Sequence, residues 1–355
     1  MKNVLEKRDY QTRVIENTLQ AVADGHQHIL IEAPCGAGKT VMALEIARRL
    51  HEQYNYTAGW CAMRKHLVRQ AAEENDAKIG FKHIEFFSMF NKNPPSADVL
   101  IDDEGHHTAA ESAVTIYQKV NPRIHIALTA TPFRTDRMKL CFSKVVKDSG
   151  IRALIDQGYL APYHHYTFDN PWTPENVASA YLNDVERWGK TVGYFLTRVE
   201  CEACAQLIRR GGVPCEVVWA GSDQEAQIAA FSRGEVPILL NMFILTEGFN
   251  APDLKTVMVR PGSKGPTIQM TGRVLRPKPY AQVIQNNDTK WLFSRTASPE
   301  QKFVLNHNEW EDRDTENTAI VSASHNTIMA IPRISVDIPA FIGKHRKKAR
   351  VFGRE

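Results

Sequence analysis

Two short stretches concentrate the side chains able to do chemistry. VLIDDEGHH, Val99 to His107, sets Asp102, Asp103, Glu104, His106 and His107 directly after an apolar run. Taken alone, it reads as a metal cage, a pair of catalytic carboxylates or a solvated turn. APCGAGKT, Ala33 to Thr40, follows one apolar strand pattern and opens a helical one, the context in which a glycine-rich turn wraps phosphates. The small residues Pro34, Cys35, Gly36, Ala37 and Gly38 let backbone N–H groups face β- and γ-phosphates, and the helix N-terminus adds a favourable dipole. Lys39 is placed to neutralise phosphate charge, and the Thr40 hydroxyl to ligate Mg²⁺. Ala33 stands where the pattern usually has glycine.

A phosphate-binding loop narrows the reading of the acidic stretch. Hydrolysis of a nucleotide needs one acid at a neighbouring strand end to hold Mg²⁺ through water, and a second to deprotonate the attacking water. Asp103 fits the metal role and Glu104 the general base, an assistance worth about 10²–10⁴ in rate. A zinc cage gathers three or four ligands from separate elements, usually with Cys/His spacing. Successive residues on a strand point to opposite faces, so ATP with Mg²⁺ is the expected pair of cofactors. Asp102 is expected to end the strand without joining the chemistry.

The elements that must position these residues alternate short apolar strands with amphipathic helices, the pattern of parallel α/β architecture. In the first half the strands are expected at 28–33, 57–63, 84–89, 97–102 and 124–130, with a helix over 151–163. The stretch TFDNPWTPEN, 167–176, is rich in Pro and Asn and reads as a linker. The alternation then restarts with strands at 191–197, 215–220, 237–243, 256–260 and 281–285. A chain of 355 residues suits two domains of about 150 residues. The expected organisation is residues 1–165, a linker over 166–180, a second domain over 181–300 and an extension over 301–355. Two doubly wound parallel-sheet domains of this kind hold a ligand between them or at strand C-termini.

Beyond Asp-Glu-x-His, further motifs follow in order. RDYQ, residues 8–11, carries Arg8 and Gln11; MRKHLVRQ, 63–70, follows the second strand; LTATPFR, 128–134, carries Thr129 and Thr131; YFLTRVECEACAQL, 194–207, opens the second half. LTEGFNAPDL, 245–254, and QMTGRVLRP, 269–277, complete the set. Together these segments resemble superfamily 2 helicases of the DExH type, over roughly residues 8 to 280. LIDQGYLAP, LTEGFN and GRVLRP are similar to RadD-like DNA-repair helicases, phage recombination helicases and type I restriction motor subunits. The resemblance implies two tandem RecA-like domains with an ATP cleft between them. It implies catalytic roles for Lys39, Glu104, Gln269, Arg273 and Arg276, adenine reading by Arg8 and Gln11, and nucleotide contact at Gly248. Coupling falls to His106, Thr129 and Thr131, and nucleic-acid contact to Arg64, Ser88, Thr197, Arg198 and Thr246. It favours DNA over RNA, in repair, recombination or replication; an RNA helicase, or an ATP-dependent clamp that does not hydrolyse, is the alternative.

The last of these segments, QMTGRVLRP, has a direct physical logic. Arg273 and Arg276 on one wall of a cleft reach a γ-phosphate on the other only when the cleft is shut, and such fingers are worth about 10³–10⁵ in rate. Two departures from the pattern stand out. Gly248-Phe249-Asn250-Ala251-Pro252 has an amide where the family commonly has a carboxylate, and Gly105 replaces the usual alanine. Cys201-x-x-Cys204 has no second CxxC and reads as buried small hydrophobes. Trp291, Phe293 and Trp310 read as core before base-stacking platforms, and His164 and His165 as structural.

Net charge is +4, and seven basic against two acidic residues from Arg333 onward leave that tail at +5 and the rest of the chain at −1. A basic tail on a near-neutral body suits nucleic acid. The polar N-terminus is not a secretory signal, and no apolar run approaches the ~18–20 residues of a membrane span. Six cysteines without framework spacing fit a reducing, cytosolic setting, and the resemblance favours the cytoplasm of a bacterium or phage-infected host. No carboxylate–lysine cluster suggests a built-in nuclease. A monomer, with an accessory protein for targeting, is the expected working form.

Overall fold

Six parallel strands form the first sheet. The computed structural model describes residues 8–103, 111–130, 142–242, 251 and 253–313. The first lobe runs α1 (Asp9–Ala23), β1 (His28–Glu32), α2 (Lys39–Tyr54), β2 (Ala58–Ala62), α3 (Lys65–Glu74), β3 (Ile84–Ser88), β4 (Val99–Asp103), α4 (Glu111–Val120), β5 (Ile124–Thr129), β6 (Lys144–Lys147) and α5 (Ile151–Asp156). Its strand order is β3-β2-β4-β5-β1-β6. β2 and β5 are buried at every position, as strands covered on both faces must be. β1 therefore ends in the sheet interior, with the phosphate-loop sequence at its C-terminal edge.

The second lobe runs β7 (Tyr163–Phe168), α6 (Pro174–Leu182), α7 (Val185–Trp188), β8 (Thr191–Tyr194), α8 (Arg198–Arg210), β9 (Cys215–Val218), α9 (Gln224–Arg233), β10 (Ile238–Asn241), β11 (Thr256–Val259), α10 (Lys264–Gly272), β12 (Ala281–Asn286), β13 (Gln301–Asn306) and β14 (Glu309–Asp312). The order is β14-β13-β7-β12-β11-β8-β10-β9, parallel throughout except for the β13–β14 hairpin. β8 sends its crossovers to both sides and so sits at the switch point, where ligands bind such sheets. One apolar cluster joins Ile29, Ile31 and Trp60 of the first lobe to Val192, Tyr194, Met270 and Val274 of the second lobe.

Two expected boundaries are corrected. Residues 166–180 are not a linker: β7 lies between β12 and β13, and α6 follows it with Thr173 capping the Asn176 N–H and Pro174 in its first turn. The second lobe also extends past residue 300, because β13 and β14 complete its sheet. Asp102 lies inside β4, which continues to Asp103. Among the described residues, no helix is long and apolar enough to cross a membrane.

His165, as expected, is structural. It is buried in β7, and its Nε2 lies 3.0 Å from Gln285 Oε1. That oxygen also accepts from the Phe293 N–H at 2.8 Å, so Nε2 must carry the proton. Burial pulls the imidazole pKa from 6.5 down to about 4, against the Gln285 bond that raises it. Folding holds this ring neutral, so its contribution is intact above pH 6.5 and is lost as pH falls toward 4. The loss is on the order of 3 kcal/mol over that window. Urea titrations at pH 7 and pH 4.5 should show it, and His165→Asn should flatten the acid limb.

Candidate nucleotide and nucleic-acid site

The loop after β1 is braced from three sides. The Ala33 N–H donates to the Thr129 carbonyl at 3.0 Å, tying the loop to the end of β5. Gly36 and Gly38 take φ of +81° and +78°, which L side chains rarely adopt. Beneath it, the Tyr10 hydroxyl and Gln11 Nε2 both donate to the Ala37 carbonyl, at 2.7 and 2.9 Å. The Arg8 N–H donates to Gln11 Oε1 at 3.1 Å, so both ends of that amide are engaged. The Arg8 guanidinium lies over the Tyr159 ring, 5.1 Å from its centroid, with Nη1 3.2 Å from the Tyr10 hydroxyl. Arg8 and Gln11 thus border the loop, where a base next to the phosphates would be read. Tyr10 is a member of this brace that sequence reasoning missed; its signal was an aromatic with a polar tip between the two residues singled out.

Lys39 and Thr40 open α2. The Lys39 Nζ donates to the Ala33 carbonyl at 3.3 Å, folded back across the mouth of the loop. Asp103 ends β4 at the same sheet edge, paired in register with Leu128, and is half-buried. One hydroxyl and one carboxylate are the hard oxygen donors that Mg²⁺ takes alongside phosphate oxygens and water. Bound there, Mg²⁺ would neutralise charge on the phosphates. The groups of three or more His, Cys, Asp and Glu that a self-contained metal site needs do not occur among the described residues.

Asp102 faces away from this edge. It is buried, with Oδ2 3.8 Å from His125 Nε2, and it pairs in register with Cys61. Burial, with Asp102 and Asp103 close by, pushes the Cys61 thiol well up. Thr129 is fully buried at the end of β5. Glu104, His106, Thr131, Thr246 and Gly248 lie outside the described residues.

Helix α10 brings the other lobe to the loop. Gly272, its last residue, faces Cys35 so closely that a Cβ built on it would lie 2.7 Å from Cys35 Cβ. A Cβ on Gly36 would meet Leu160 at 3.2 Å and the Arg276 side chain at 4.0 Å. Burial pulls the Arg276 pKa down, and Arg273 adds to that, while Cys35 and Glu74 oppose it. Gln269 lies on the same helix, one turn before Arg273. The glycine loop, Arg273 and Arg276 are therefore brought together from both lobes, with Gln269 one turn back on α10.

The model of the family described as type III restriction enzyme, res subunit, matches residues 4–94 and 81–134. In Saccharomyces cerevisiae, a protein bearing the name ATP-dependent helicase IRC3 is 22% identical over 76% of this chain and 49% of its own length. The DNA-bound ATP-dependent type ISP restriction-modification enzyme LlaBIII superposes with a TM-score of 0.61 at 15% identity, covering 80% of this chain and 28% of that one. Mycobacterium smegmatis helicase Lhr, bound to single-stranded DNA and AMP-PNP, gives 0.56 at 13% identity, covering 78% and 46%. These likenesses make the chain similar to superfamily 2 helicases, in sequence over the first lobe and in fold over both. It spans about half the length of the yeast relative it matches.

The remaining candidate side chains have mixed placements. Arg64 caps α3 and Ser88 ends β3, both at the C-terminal edge of the first sheet. Thr197 caps α8: its hydroxyl lies 2.7 Å from Glu200 Oε2 and 3.3 Å from the Glu200 N–H, in a capping box. Arg198 is stacked over Trp219 at 3.8 Å and lies 3.6 Å from Glu202. Thr197 and Arg198 are exposed at the switch point, but each already has a local partner. His66 of α3 was not foreseen. Burial holds its imidazole below the usual value, with Arg64, Arg69 and Arg273 adding to the shift. One turn on, Arg69 reaches Glu225 of α9 at 3.9 Å, an exposed ion pair between the lobes. Cys201 and Cys204 are fully buried with pKa values pushed up by burial, as inert core thiols are. Phe293 is buried, and Trp310 packs against the core of the second lobe.

Proposed function

We propose that this helicase couples ATP hydrolysis, with Mg²⁺, to movement along or remodelling of DNA. The observation that carries the reading is the meeting of Gly272 and Arg276 of the second lobe with Cys35 and Gly36 of the phosphate loop. In this reading, Lys39 and the loop amides hold the β- and γ-phosphates. Asp103 and Thr40 hold Mg²⁺, Glu104 takes the proton of the attacking water, and Arg273 with Arg276 steady charge on the γ-phosphate. Because those arginines come from the far lobe, turnover depends on lobe closure, and cycles of closure can step the lobes along a strand. Arg64 and Ser88 on one lobe, with Thr197 and Arg198 on the other, lie at sheet edges suited to gripping a backbone without reading sequence. The DNA in both solved structures described above supports DNA over RNA. We place the enzyme in the cytoplasm, acting as a monomer that a targeting partner directs.

The test is steady-state phosphate release with single-stranded DNA, duplex DNA or RNA added. DNA should stimulate release more than RNA, less so as salt rises because phosphate contacts release counterions. Glu104→Gln should lower the stimulated rate by about 10²–10⁴. If neither DNA nor RNA raised the rate and Glu104→Gln left it unchanged, a clamp that holds ATP without hydrolysing it would replace the motor.

A further inference from the structure

Gly272 is not required by its own backbone. It ends α10, and its φ is outside the left-handed region that favours glycine. What excludes a side chain is Cys35 across the lobe boundary: a Cβ at 272 would lie 2.7 Å from Cys35 Cβ, 3.2 Å from its Sγ and 3.9 Å from its Cα. Real Cβ atoms do not approach that closely, so something would have to shift.

The phosphate loop is poorly able to give way. Its Ala37 carbonyl accepts from Tyr10 and Gln11, its Ala33 N–H is bonded to Thr129, and Leu160 covers Gly36. The end of α10 is held as well, since Met270, Thr271 and Gly272 are buried and the Leu275 carbonyl accepts from the Ala161 N–H at 3.0 Å. With both sides fixed, the remaining freedom is the separation of the lobes. Arg273 follows Gly272 directly as the C-cap of α10, and Arg276 lies three residues further on, past the end of the helix.

We propose that the thiol of Cys35 seats in the notch left by Gly272, and that this contact sets how far the lobes close and hence how far Arg273 and Arg276 reach. Cys35 and Gly272 are a positioning pair for ATP hydrolysis; the proposal rests on the hydrolysis reading above. A misplacement of about 1 Å at a reacting centre can cost on the order of 10² in rate, which one methyl group at position 272 is enough to cause.

Gly272→Ala should lower kcat for ATP about 100-fold. Its KM should stay within about threefold, because the phosphate loop is untouched, and its far-ultraviolet circular dichroism should be unchanged, because alanine favours helix. Cys35→Gly added to Gly272→Ala removes the opposing Cβ and should restore at least tenfold of the lost kcat. Cys35→Leu, which adds bulk from the opposite lobe, should reproduce the loss and guards against a local effect of alanine in α10. Gly272→Ala turning over at the wild-type rate, or no recovery in the double variant, would overturn the positioning role while leaving hydrolysis standing. A wild-type protein without ATPase activity would instead refute the hydrolysis reading, and this role with it.

Discussion

Arg276→Ala should lower the nucleic-acid-stimulated kcat about 10³-fold or more, with ATP KM little changed. The side chain runs past the phosphate loop, 4.0 Å from where a Gly36 Cβ would stand, and it is half-buried. Burial and the nearby Arg273 both act against its charge, which a guanidinium nonetheless keeps. Two cations held together at a phosphate loop are unfavourable until an anion arrives, and most unfavourable before charge builds on a γ-phosphate. Groups arranged this way contribute mainly to the transition state, so their loss appears in kcat. A finger worth about 10³–10⁵ corresponds to roughly 4–7 kcal/mol. Arg276→Lys keeps the charge but loses the planar fork, and should recover only part of the rate. Phosphate release at saturating ATP measures both variants. An Arg276→Ala enzyme as fast as wild type would mean that the second lobe takes no part in bond cleavage.

The chemistry-bearing end of the fold was legible because it is local. A phosphate loop needs small residues, a lysine and a hydroxyl at fixed offsets between a strand and a helix, and all of them lie within Ala33–Thr40. The apolar strands of the first sheet were legible for the same reason, since burial on both faces leaves a continuous apolar run. What was not legible depends on pairing between distant segments. YHHYTF looks like the tail of the first lobe, yet β7 pairs in register with Ala281–Asn286 on one side and with Gln301–Val304 on the other. Nothing within six residues says which sheet they join. Pro174 misled in another way: it reads as a breaker, but at the first turn of a helix its fixed φ and missing N–H cost nothing.

The nucleic-acid side shows the opposite failure, a local signal overlooked. Thr197-x-x-Glu200 is a capping-box pattern, visible in the sequence without any family knowledge. The resemblance suggested a backbone contact there, while the structure gives the hydroxyl to Glu200. Any contact to nucleic acid from this turn would have to come from backbone N–H groups, from Arg198 leaving Trp219, or from a hydroxyl shared with the cap. The interlobe contacts of Cys35 and His66 had no sequence signal at all, because they exist only once two sheets are brought face to face.

Trp188→Ala should cost about 3–5 kcal/mol of stability, the range for deleting a large buried aromatic. The indole is fully buried, and its Nε1–H donates to the Tyr181 carbonyl at 3.1 Å. The Tyr166 ring meets it edge-on at 5.0 Å and Trp310 at 5.5 Å, both at 86°. These partners come from β7 and β14, the two segments whose place in the second sheet the sequence concealed. Trp188 is thus the point where α7 and both outer strands converge. Removing it opens a cavity at the base of the hairpin formed by β13 and β14. Urea unfolding monitored by far-ultraviolet circular dichroism should show the midpoint fall, with Trp188→Phe losing less because it retains most of the ring contacts. Truncation after Glu300 uncovers the same rings from the other side, so it should destabilise the second lobe. A truncated chain as stable as the full one would mean that the outer hairpin decorates this lobe without helping to hold it.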